Sequence, residues 1–347
     1  MKNMLTNKRI LLPVIILSAA VAMPAIYARL AVRQYTLTVT DAMDTVSAVT
    51  IRSGFSSKRI ARECADIIYR YDKMLSVDNP QSEISRFNRS AAGSDFSEAT
   101  YNMLKECGRL YADTDTGFDI TVGAVSRLWA SSFLTQTMPD EEKLSNAAAL
   151  TGYPSLSFDD KTLTITKSIP KQELTAGAVA KGFIADKIAD YLTTEKTDGA
   201  LIDLGGNIYV CGNNGRGEEW KVGIQNPDDS SALIGQIRLH EGFVITSGDY
   251  QRYMISDGIR YHHILNAVTG YPAKSGLRSV TIVSDSGFTG DALSTACFIA
   301  GLDGGIKLAQ KYDVGAVFVT DGNEVFYSRR LENTFSGKSE GYTYTAF

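Results

Sequence analysis

Hydrophobic and polar positions change their spacing several times along the chain, and each change predicts an element. Residues 36–53 alternate apolar and polar side chains, which predicts an opening strand. Apolar residues then recur at helical spacing from about Ser56, and a further helix is predicted after the capping residue Ser97. Between Leu156 and Ile165 the alternation returns and predicts a hairpin. The first half of the chain is therefore predicted to mix helices and strands.

The second half is predicted to be richer in strands. A helical stripe covers residues 183–192, and strand after strand then follows as far as Ile264. The last third predicts a helix that contains Asp291, a helix around 304–312 and two closing strands within 315–328. Because strands outnumber helices and come in consecutive runs, we predict an α+β fold, a single large domain with mixed or antiparallel sheets flanked by helices.

Composition and cysteine spacing exclude several classes of protein. The 347 residues are 44% hydrophobic, which is enough for one large domain or two modest ones. The formal net charge of -4 argues against a nucleic-acid partner and against a polybasic membrane surface. Cys64, Cys107, Cys211 and Cys297 are widely spaced and form no CxxC pair. They are predicted to be small hydrophobic side chains inside the protein.

The N-terminal stretch has the composition of a targeting or membrane segment. Lys2, Lys8 and Arg9 precede an uncharged run from 10 to 28, which is near the roughly 20 residues that span a bilayer. Ala20-Val21-Ala22 fits a cleavage site. We therefore predict that residues 1–33 are a signal peptide or a membrane anchor, and both predict an extracytoplasmic location for residues 36–347.

Two stretches carry residue types that suit a metal ion and a phosphate. On a helix that opens at Asp291, the oxygens of Asp291 and Thr295 lie one turn apart on one face. Hard oxygen ligands near the positive end of a helix suit Mg²⁺ and a bound phosphate. Gly177 and Ala178 stand where the preceding helix is predicted to start, so a ligand can approach their backbone. Lys181 follows about one turn later and is either part of this site or a solvated charge.

A denser stretch, 113–129, allows two interpretations. Its Gly117-Phe118 pair predicts a turn that directs Asp119 and Thr121 outward. Asp119 is then either the cap of a helix or a site residue. Residues 247–250 predict another turn, and the double glycine Gly205-Gly206 marks a break between two strands that fits any tight turn.

Taken together, these stretches resemble the FAD:protein FMN transferase family, the ApbE-like flavin transferases. The resemblance extends from Asp41 to about Val319. The matching stretches occur in the family's order: Ala42-Met43-Asp44-Thr45, Ser82-Glu83-Ile84-Ser85-Arg86-Phe87-Asn88, Gly117-Phe118-Asp119-Ile120-Thr121-Val122, Gly177-Ala178-Val179-Ala180-Lys181-Gly182, Asp203-Leu204-Gly205-Gly206-Asn207, residues 261–272 and Asp291-Ala292-Leu293-Ser294-Thr295-Ala296. Each stretch alone would be weak, but their common order and compatible spacing make the resemblance specific.

The resemblance implies an activity, a metal and a set of site residues. It implies that FAD is the substrate and that its FMN half moves onto a threonine or serine hydroxyl of an acceptor protein, with release of AMP. It implies Mg²⁺ on Asp291, Thr295 and the main-chain carbonyl of Ala178, with His263 and Asp291 as catalytic residues. His263 would take the hydroxyl proton or steady the phosphate, whereas His262 is predicted to be structural. The FAD cleft would be lined by Met43, Asn88, Asp119, Ala178, Lys181, Gly205, Gly206, Asn207, Ser247, Tyr250 and His263.

The sequence also departs from the family pattern at three places. Thr175 stands where the family has aspartate, Asn266-Ala267-Val268 replaces Asp-Pro-Arg, and Asp44 replaces a glycine. The first two changes remove charges, so two alternatives stay open: an FAD pyrophosphatase that gives FMN and AMP, and a flavin-binding protein without turnover. Family and location together imply that the acceptor is a membrane-bound or extracytoplasmic redox subunit.

Overall fold

The computed structural model describes residues 34–114, 117–337 and 339–347. The predicted signal peptide or anchor at 1–33 lies outside these described residues. The strands run Gln34–Ala42 (β1), Thr45–Arg52 (β2), Gly93–Asp95 (β3), Leu156–Asp159 (β4), Thr164–Lys167 (β5), Gly199–Leu204 (β6), Asn207–Gly212 (β7), Trp220–Gln225 (β8), Leu233–Leu239 (β9), Gly242–Gly248 (β10), Tyr253–Ser256 (β11), Ile259–His262 (β12), Leu277–Ser284 (β13), Gly315–Thr320 (β14), Glu324–Tyr327 (β15), Phe335–Gly337 (β16) and Thr343–Ala346 (β17). The helices run Ser57–Leu75 (α1), Glu83–Arg89 (α2), Glu98–Asp113 (α3), Gly123–Thr135 (α4), Glu141–Ala148 (α5), Ala180–Glu195 (α6) and Gly287–Lys311 (α7).

A nine-stranded sheet organises the described part of the chain, in the order β1-β2-β6-β7-β10-β13-β14-β15-β17. Its neighbours pair antiparallel except β15 and β17, which are parallel. Two three-stranded sheets, β16-β9-β8 and β3-β5-β4, and the two-stranded β11-β12 sheet complete the set. The prediction of an α+β fold with mixed or antiparallel sheets is therefore confirmed.

The large sheet is buried on both faces. Alternate residues of β10 show this division, since Ile245 packs with the helices α1 and α6 while Val244 packs against the sheet β16-β9-β8. Helix α7 lies on the same face as α6 and contacts β10 and β13. The amino ends of α6 and α7 lie against each other, with Gly182 beside Gly287.

The predicted opening strand is in fact a hairpin, β1 and β2. The chain reverses at Met43 and Asp44, whose φ angles are 56° and 51°. Two consecutive left-handed residues make the tight turn that matches the twist of paired strands. Neither residue is glycine, so no glycine marks the turn in the sequence. Asp72 of α1 supports it, because its Oδ1 accepts a 2.9 Å hydrogen bond from the Met43 N–H.

Helices α6 and α7 approach each other so closely that no side chain fits at their point of contact. A Cβ at Gly182 would collide with the carbonyl oxygen of Gly287, and a Cβ at Gly287 would collide with that of Gly182. Glycine at both positions therefore lets the two backbones touch. Farther along α7, Gly301 has φ 72° and ψ -175° and interrupts the helical geometry. This break corresponds to the boundary between the two helices predicted in this region.

The remaining helices and strands agree with the sequence in most places. Helix α3 begins after its cap Ser97, and the predicted hairpin is formed by β4 and β5. The predicted closing strands are β14 and β15, whereas the short strands β3, β16 and β17 and the short helices α2 and α5 were not predicted. Residues Ser247 and Gly248, predicted in a turn, are instead the last two residues of β10.

All four cysteines are described, and all are free thiols. Cys64, Cys107 and Cys297 are fully buried and Cys211 is half-buried. The prediction that they serve as small hydrophobic side chains is confirmed for the three buried ones. In the part of the chain that the structure describes, only α7 is long and apolar enough to cross a membrane, and more than half of that stretch, 56%, is buried within the protein.

Candidate active site

Asp291 is the buried carboxylate at the centre of the candidate site. It lies in the second turn of α7, because the helix begins at Gly287 after the cap Ser286, so the prediction that the helix opens at Asp291 is wrong. The Asp291 side chain is 4% exposed, and its Oδ2 accepts a 2.8 Å hydrogen bond from the Gly182 N–H. Gly182 belongs to the first turn of α6, whose N–H groups have no partner within their own helix. Asp291 therefore joins the two helices at their amino ends.

The electrostatic environment of Asp291 contains both signs of charge. Burial raises the pKa of its carboxyl group, while the nearby Lys181 ammonium, the Asn207 amide and the Gly182 N–H act in the opposite direction. Lys181 forms no ion pair within the described ranges. Its position near Asp291 favours the site interpretation over that of a solvated charge.

The carbonyl of Ala178 is available for a ligand. The N–H groups of Val179 and Ala180 both donate to the carbonyl of Ala176, at 2.9 and 2.8 Å, and the Phe183 N–H donates to Val179. No backbone or side-chain hydrogen bond of the described residues ends on the Ala178 carbonyl. A half-buried carbonyl without a protein partner is a suitable metal ligand.

Thr295 and Ser247 bring hydroxyl groups to the same region. Ser247 Oγ lies 2.7 Å from Ser294 Oγ and 3.4 Å from Thr295 Oγ1. This contact joins the end of β10 to α7. Asp291 and Thr295 are one turn apart on α7, as the sequence predicts, so their oxygens share one face.

Asn207 has an unpartnered amide beside Asp291. Its side chain is 1% exposed, and its Nδ2 has no hydrogen-bond partner within 34–114, 117–337 and 339–347. The amide lowers the pKa of Asp291 without completing a hydrogen bond of normal geometry. A buried donor without an acceptor is uncommon, because it costs about 1–3 kcal/mol. An external acceptor at this point would satisfy it.

The double glycine before Asn207 forms the turn between β6 and β7. Gly205 has φ 63° and Gly206 has φ 96°, and a Cβ at Gly205 would collide with Thr45. At Gly206 the closest atom to such a Cβ would be Gln251 Nε2, at 3.7 Å. The turn therefore needs its first glycine for packing, while the second leaves its backbone open to a ligand.

The two adjacent histidines have different surroundings. His262 is 7% exposed, its Nε2 lies 3.1 Å from the Ala273 carbonyl oxygen, and its ring packs edge-on against Phe298, which confirms a structural position. His263 is half-buried and its Nδ1 lies 3.3 Å from the Arg252 carbonyl oxygen. Burial, together with the positive charges of Lys181 and Arg252, lowers the pKa of His263 to about 4. His263 is therefore neutral at pH 7 and able to accept a proton.

Asn88 and Asp119 are fully engaged with the protein. The Asn88 amide donates to the Leu174 carbonyl at 2.9 Å and accepts from the Leu174 N–H at 2.7 Å. Asp119 accepts from the Thr121 N–H and hydroxyl, at 2.8 and 2.7 Å, and from the Tyr153 N–H at 2.9 Å. Asp119 and Thr121 are 7% and 1% exposed, so the prediction that they point outward is wrong.

The segment that contains Asp119 also contacts the loop that contains Ala178. The Thr175 N–H donates to the Ile120 carbonyl at 2.8 Å, and the Gly123 N–H donates to the Glu173 carbonyl at 3.0 Å. The segment beside Asp119 thus pairs with the segment that precedes Gly177 and Ala178. Asn88 binds this loop directly at Leu174, and Asp119 fixes the neighbouring segment that pairs with it, so we infer a positioning role for both.

The other predicted cleft residues are Met43 and Tyr250. Met43 occupies the β1–β2 turn and is half-buried against the core that α1 and α6 share. Tyr250 is half-buried just after β10, where burial and the Asp249 charge raise the pKa of its hydroxyl to about 12. Tyr250 thus follows the strand that contains Ser247.

At each of the three departures from the family pattern, the residue present suits the local backbone. Thr175 Oγ1 accepts a 3.2 Å hydrogen bond from the Gly177 N–H, which an aspartate carboxylate could also accept. Asn266 Oδ1 accepts from the N–H groups of Val268 and Thr269, at 2.9 and 3.2 Å, and so stabilises the turn after His263. Asp44 has φ 51°, a conformation that aspartate adopts more readily than most residues.

These residues fit a magnesium ion. Within the described ranges, no group of three or more His, Cys, Asp and Glu side chains lies close enough to hold a metal. That absence agrees with the predicted ligand set, which contains one carboxylate, one hydroxyl and one carbonyl. Mg²⁺ is commonly held by one or two carboxylates together with waters and substrate phosphates. The free carbonyl of Ala178 and the unpartnered amide of Asn207 mark the place where such an ion and its phosphate ligand would lie.

Sequence reasoning missed Asp186 of α6. Its Oδ1 accepts from the Gly287 N–H at 2.6 Å and its Oδ2 from the Phe288 N–H at 2.8 Å. The signal was a single acidic residue one turn after Gly182, and such a residue on a helix is usually a solvated charge.

This chain is similar to proteins of one known family. A sequence model of the ApbE family matches residues 43–318. The chain belongs to the ApbE family. A Klebsiella pneumoniae (strain 342) protein named FAD:protein FMN transferase is 33% identical over 287 residues, 82% of this chain and 89% of that protein. A Vibrio cholerae protein of the same name is 30% identical over 275 residues, 78% of this chain and 82% of its own length.

Solved structures of ApbE proteins share the fold. The ApbE protein from Thermotoga maritima superimposes with a TM-score of 0.79 and 30% identity, over 86% of this chain and 98% of that chain. The flavin transferase ApbE from Vibrio cholerae gives a TM-score of 0.77 with 26% identity, over 87% of this chain and 100% of its own. The predicted membership of this family of flavin transferases is therefore confirmed.

Proposed function

We propose that this ApbE-family protein is a Mg²⁺-dependent FAD:protein FMN transferase that moves the FMN half of FAD onto a threonine or serine hydroxyl of an acceptor protein and releases AMP. The observation that carries the proposal is the set of unpartnered polar atoms around Asp291. The Ala178 carbonyl and the Asn207 amide have no protein partner among the described residues. An acceptor and a donor left open beside one buried carboxylate suit a metal ion with its phosphate ligand.

Asp291, Thr295 and the Ala178 carbonyl would hold Mg²⁺. When bound, the ion supplies positive charge that stabilises the phosphate under attack. The protein itself contributes fixed groups around that position: the Lys181 ammonium adds a second positive charge, and the Asn207 amide can donate to a phosphate oxygen. The open backbone at Gly206 lets the substrate lie against the chain.

His263 is the proton acceptor in this proposal. Because its lowered pKa of about 4 keeps the imidazole neutral at pH 7, the ring can take the proton of the acceptor hydroxyl. Its Nδ1 faces the Arg252 carbonyl oxygen at 3.3 Å, and the Arg252 carbonyl also accepts the His263 N–H at 3.0 Å. The backbone of residue 252 thus fixes the ring in place.

The surroundings of His263 favour a protein acceptor over water. His263 directly follows the β11-β12 hairpin, on which Ile255 and Ile259 are 60% and 50% exposed. Val268, on the loop that follows, is 80% exposed. Water needs no apolar surface, whereas a polypeptide that brings a hydroxyl to His263 would cover these side chains. A membrane-bound or extracytoplasmic redox subunit remains the proposed acceptor, in keeping with the exported location that residues 1–33 predict.

The experiment incubates the purified full-length chain with FAD and Mg²⁺, with and without a candidate redox subunit, and follows AMP and flavin. AMP release together with flavin that stays on the denatured subunit is the expected result, and replacing the acceptor threonine or serine by alanine should abolish the label. AMP with only free FMN would instead support the FAD pyrophosphatase. Bound FAD without AMP would mean that the changes at Thr175 and Asn266 leave a flavin-binding protein.

A further inference from the structure

Helices α6 and α7 cap each other through two carboxylates. Asp186 of α6 accepts the N–H groups of Gly287 and Phe288 at the start of α7, at 2.6 and 2.8 Å, and the Ser286 hydroxyl at 3.3 Å. Asp291 of α7 accepts the N–H of Gly182 in the first turn of α6, at 2.8 Å. Each helix thus supplies the acidic group that the other needs at its positive end.

The two caps leave the helix ends in different states. At the start of α7 every free N–H has a protein acceptor, since Thr289 donates to the Ser286 hydroxyl and Gly290 to the Ser286 carbonyl. At the start of α6, the Lys181 N–H has no acceptor in the part of the chain that the structure describes. The positive end of α7 is therefore neutralised internally, and that of α6 stays available for an anionic ligand.

We propose that Asp186 is a positioning residue for the Mg²⁺ site: by fixing the first turn of α7 against α6, it holds Asp291 at the amino end of α6, where the Ala178 carbonyl is free. The inference rests on the proposed function, because the ion is part of that function. Asp291 follows Gly287 by about one turn, so a shift of the α7 amino end moves its carboxylate directly. The glycine contact between Gly182 and Gly287 leaves no side chain to limit such a shift.

The test measures Mg²⁺ affinity by calorimetry on the full-length chain with FAD present. Asp186→Asn replaces one of the two acceptor oxygens by an amide nitrogen that faces an N–H group. Groups that orient metal ligands commonly change metal affinity by 10–100-fold, so we expect Mg²⁺ to bind at least about tenfold more weakly. Excess Mg²⁺ should restore much of the kcat, because the ligands themselves are unchanged. Asp186→Ser, which keeps one small acceptor, serves if Asp186→Asn does not fold.

Two controls separate positioning from a merely structural cap. Asp190→Asn removes an exposed carboxylate one turn farther along α6 and should leave the Mg²⁺ affinity within about twofold of wild type. Ser286→Ala removes the hydroxyl cap of α7 but keeps both backbone bonds to Asp186, so it should lower the midpoint of thermal unfolding more than the Mg²⁺ affinity.

The outcomes also separate this inference from the proposed function. If Asp186→Asn lowers only the unfolding midpoint and binds Mg²⁺ like wild type, the positioning role is refuted while the transferase proposal stands. If Asp186→Asn weakens Mg²⁺ binding but the wild type labels no acceptor, the positioning role stands and the transferase proposal fails. A wild-type chain that binds no Mg²⁺ would overturn the positioning role as well.

Discussion

Two groups of family-matching residues in this protein differ in how their polar atoms are satisfied. Around Asn88 and Asp119 each polar side-chain group is paired with the protein, mostly with backbone groups of neighbouring segments. Around Asp291, the Ala178 carbonyl and the Asn207 amide have no partner among the described residues. Both groups match the family pattern equally well in sequence. We therefore expect the fully paired residues to position the site and the unpaired groups to contact its ligand.

Asp291→Asn should produce the largest effect. It tests the group of residues whose polar atoms lack a protein partner. The amide oxygen can still accept the Gly182 N–H, so the fold should survive, but the negative charge needed for Mg²⁺ is lost. We expect flavin transfer to fall by at least ~10²-fold, with a thermal midpoint near that of wild type. An Asp291→Asn variant that stays active at ordinary Mg²⁺ concentrations would show that the assigned metal ligand is wrong.

His263→Ala should slow the reaction by about 10²-fold or more while FAD binds nearly as before, because the imidazole acts on the proton and not on the flavin. The wild-type kcat/KM should have its acid limb near pH 4, since the pKa of His263 in the ligand-free protein is lowered to about 4, and the variant should lack that limb. Equal losses in kcat and FAD affinity would make His263 a binding residue only.

Protonation of His263 also affects the free energy of unfolding, and the direction of this effect can be measured separately. The unfolded histidine has a pKa of 6.5, so below that pH the unfolded chain binds more protons than the folded one. The free energy of unfolding contributed by neutral His263 is complete above pH 6.5 and is lost as the pH falls through about 4. The difference in unfolding free energy between wild type and His263→Ala should therefore shrink across this interval in urea titrations.

Asp119→Ala tests the group of residues whose polar atoms are all paired with the protein. The substitution should mainly destabilise the protein. It leaves the buried N–H groups of Thr121 and Tyr153 without acceptors, which should reduce the free energy of unfolding by about 2–4 kcal/mol. Activity per folded molecule should fall far less than in Asp291→Asn. Urea unfolding and transfer assays on the same samples decide the question, and full stability with no activity would assign Asp119 to the ligand.

Thr175→Asp should give the smallest effect. It tests the segment between the two groups of residues, because Thr175 lies between Leu174, which Asn88 binds, and Ala178. The carboxylate can accept the Gly177 N–H in place of the threonine hydroxyl, and it adds a negative charge close to the Ala178 carbonyl. Mg²⁺ affinity should rise by up to roughly tenfold, since affinity increases with the charge of the ligands. Unchanged Mg²⁺ affinity and activity would mean that threonine in place of aspartate weakens neither Mg²⁺ binding nor flavin transfer in this protein.

Much of the fold could be predicted because it depends on local patterns. The apolar stripe of α1, the cap Ser97 and the break between β6 and β7 are all visible in sequence. The β1–β2 turn was missed because two non-glycine residues, Met43 and Asp44, adopt left-handed φ angles there. That conformation is stabilised by pairing of the two strands and by Asp72 of α1, which is distant in sequence.

The sequence named candidate site residues, but it did not predict how they contact one another. Asp291, Thr295, Ala178 and Lys181 were singled out from residue type and helical spacing, and the structure places Asp291 against the first turn of α6. Asp186 could not be predicted, since its partners belong to a helix about a hundred residues later in the chain. Long-range backbone contacts of this kind leave no local pattern.

The buried cysteines have a consequence for where the protein can fold. Burial raises the pKa of Cys64 and of Cys297 to about 12, so almost no reactive thiolate forms at neutral pH. With four free thiols and no disulfide, the native state requires no oxidant. The same fold should therefore form in a reducing or an oxidising compartment, and a reductant should leave its thermal midpoint unchanged.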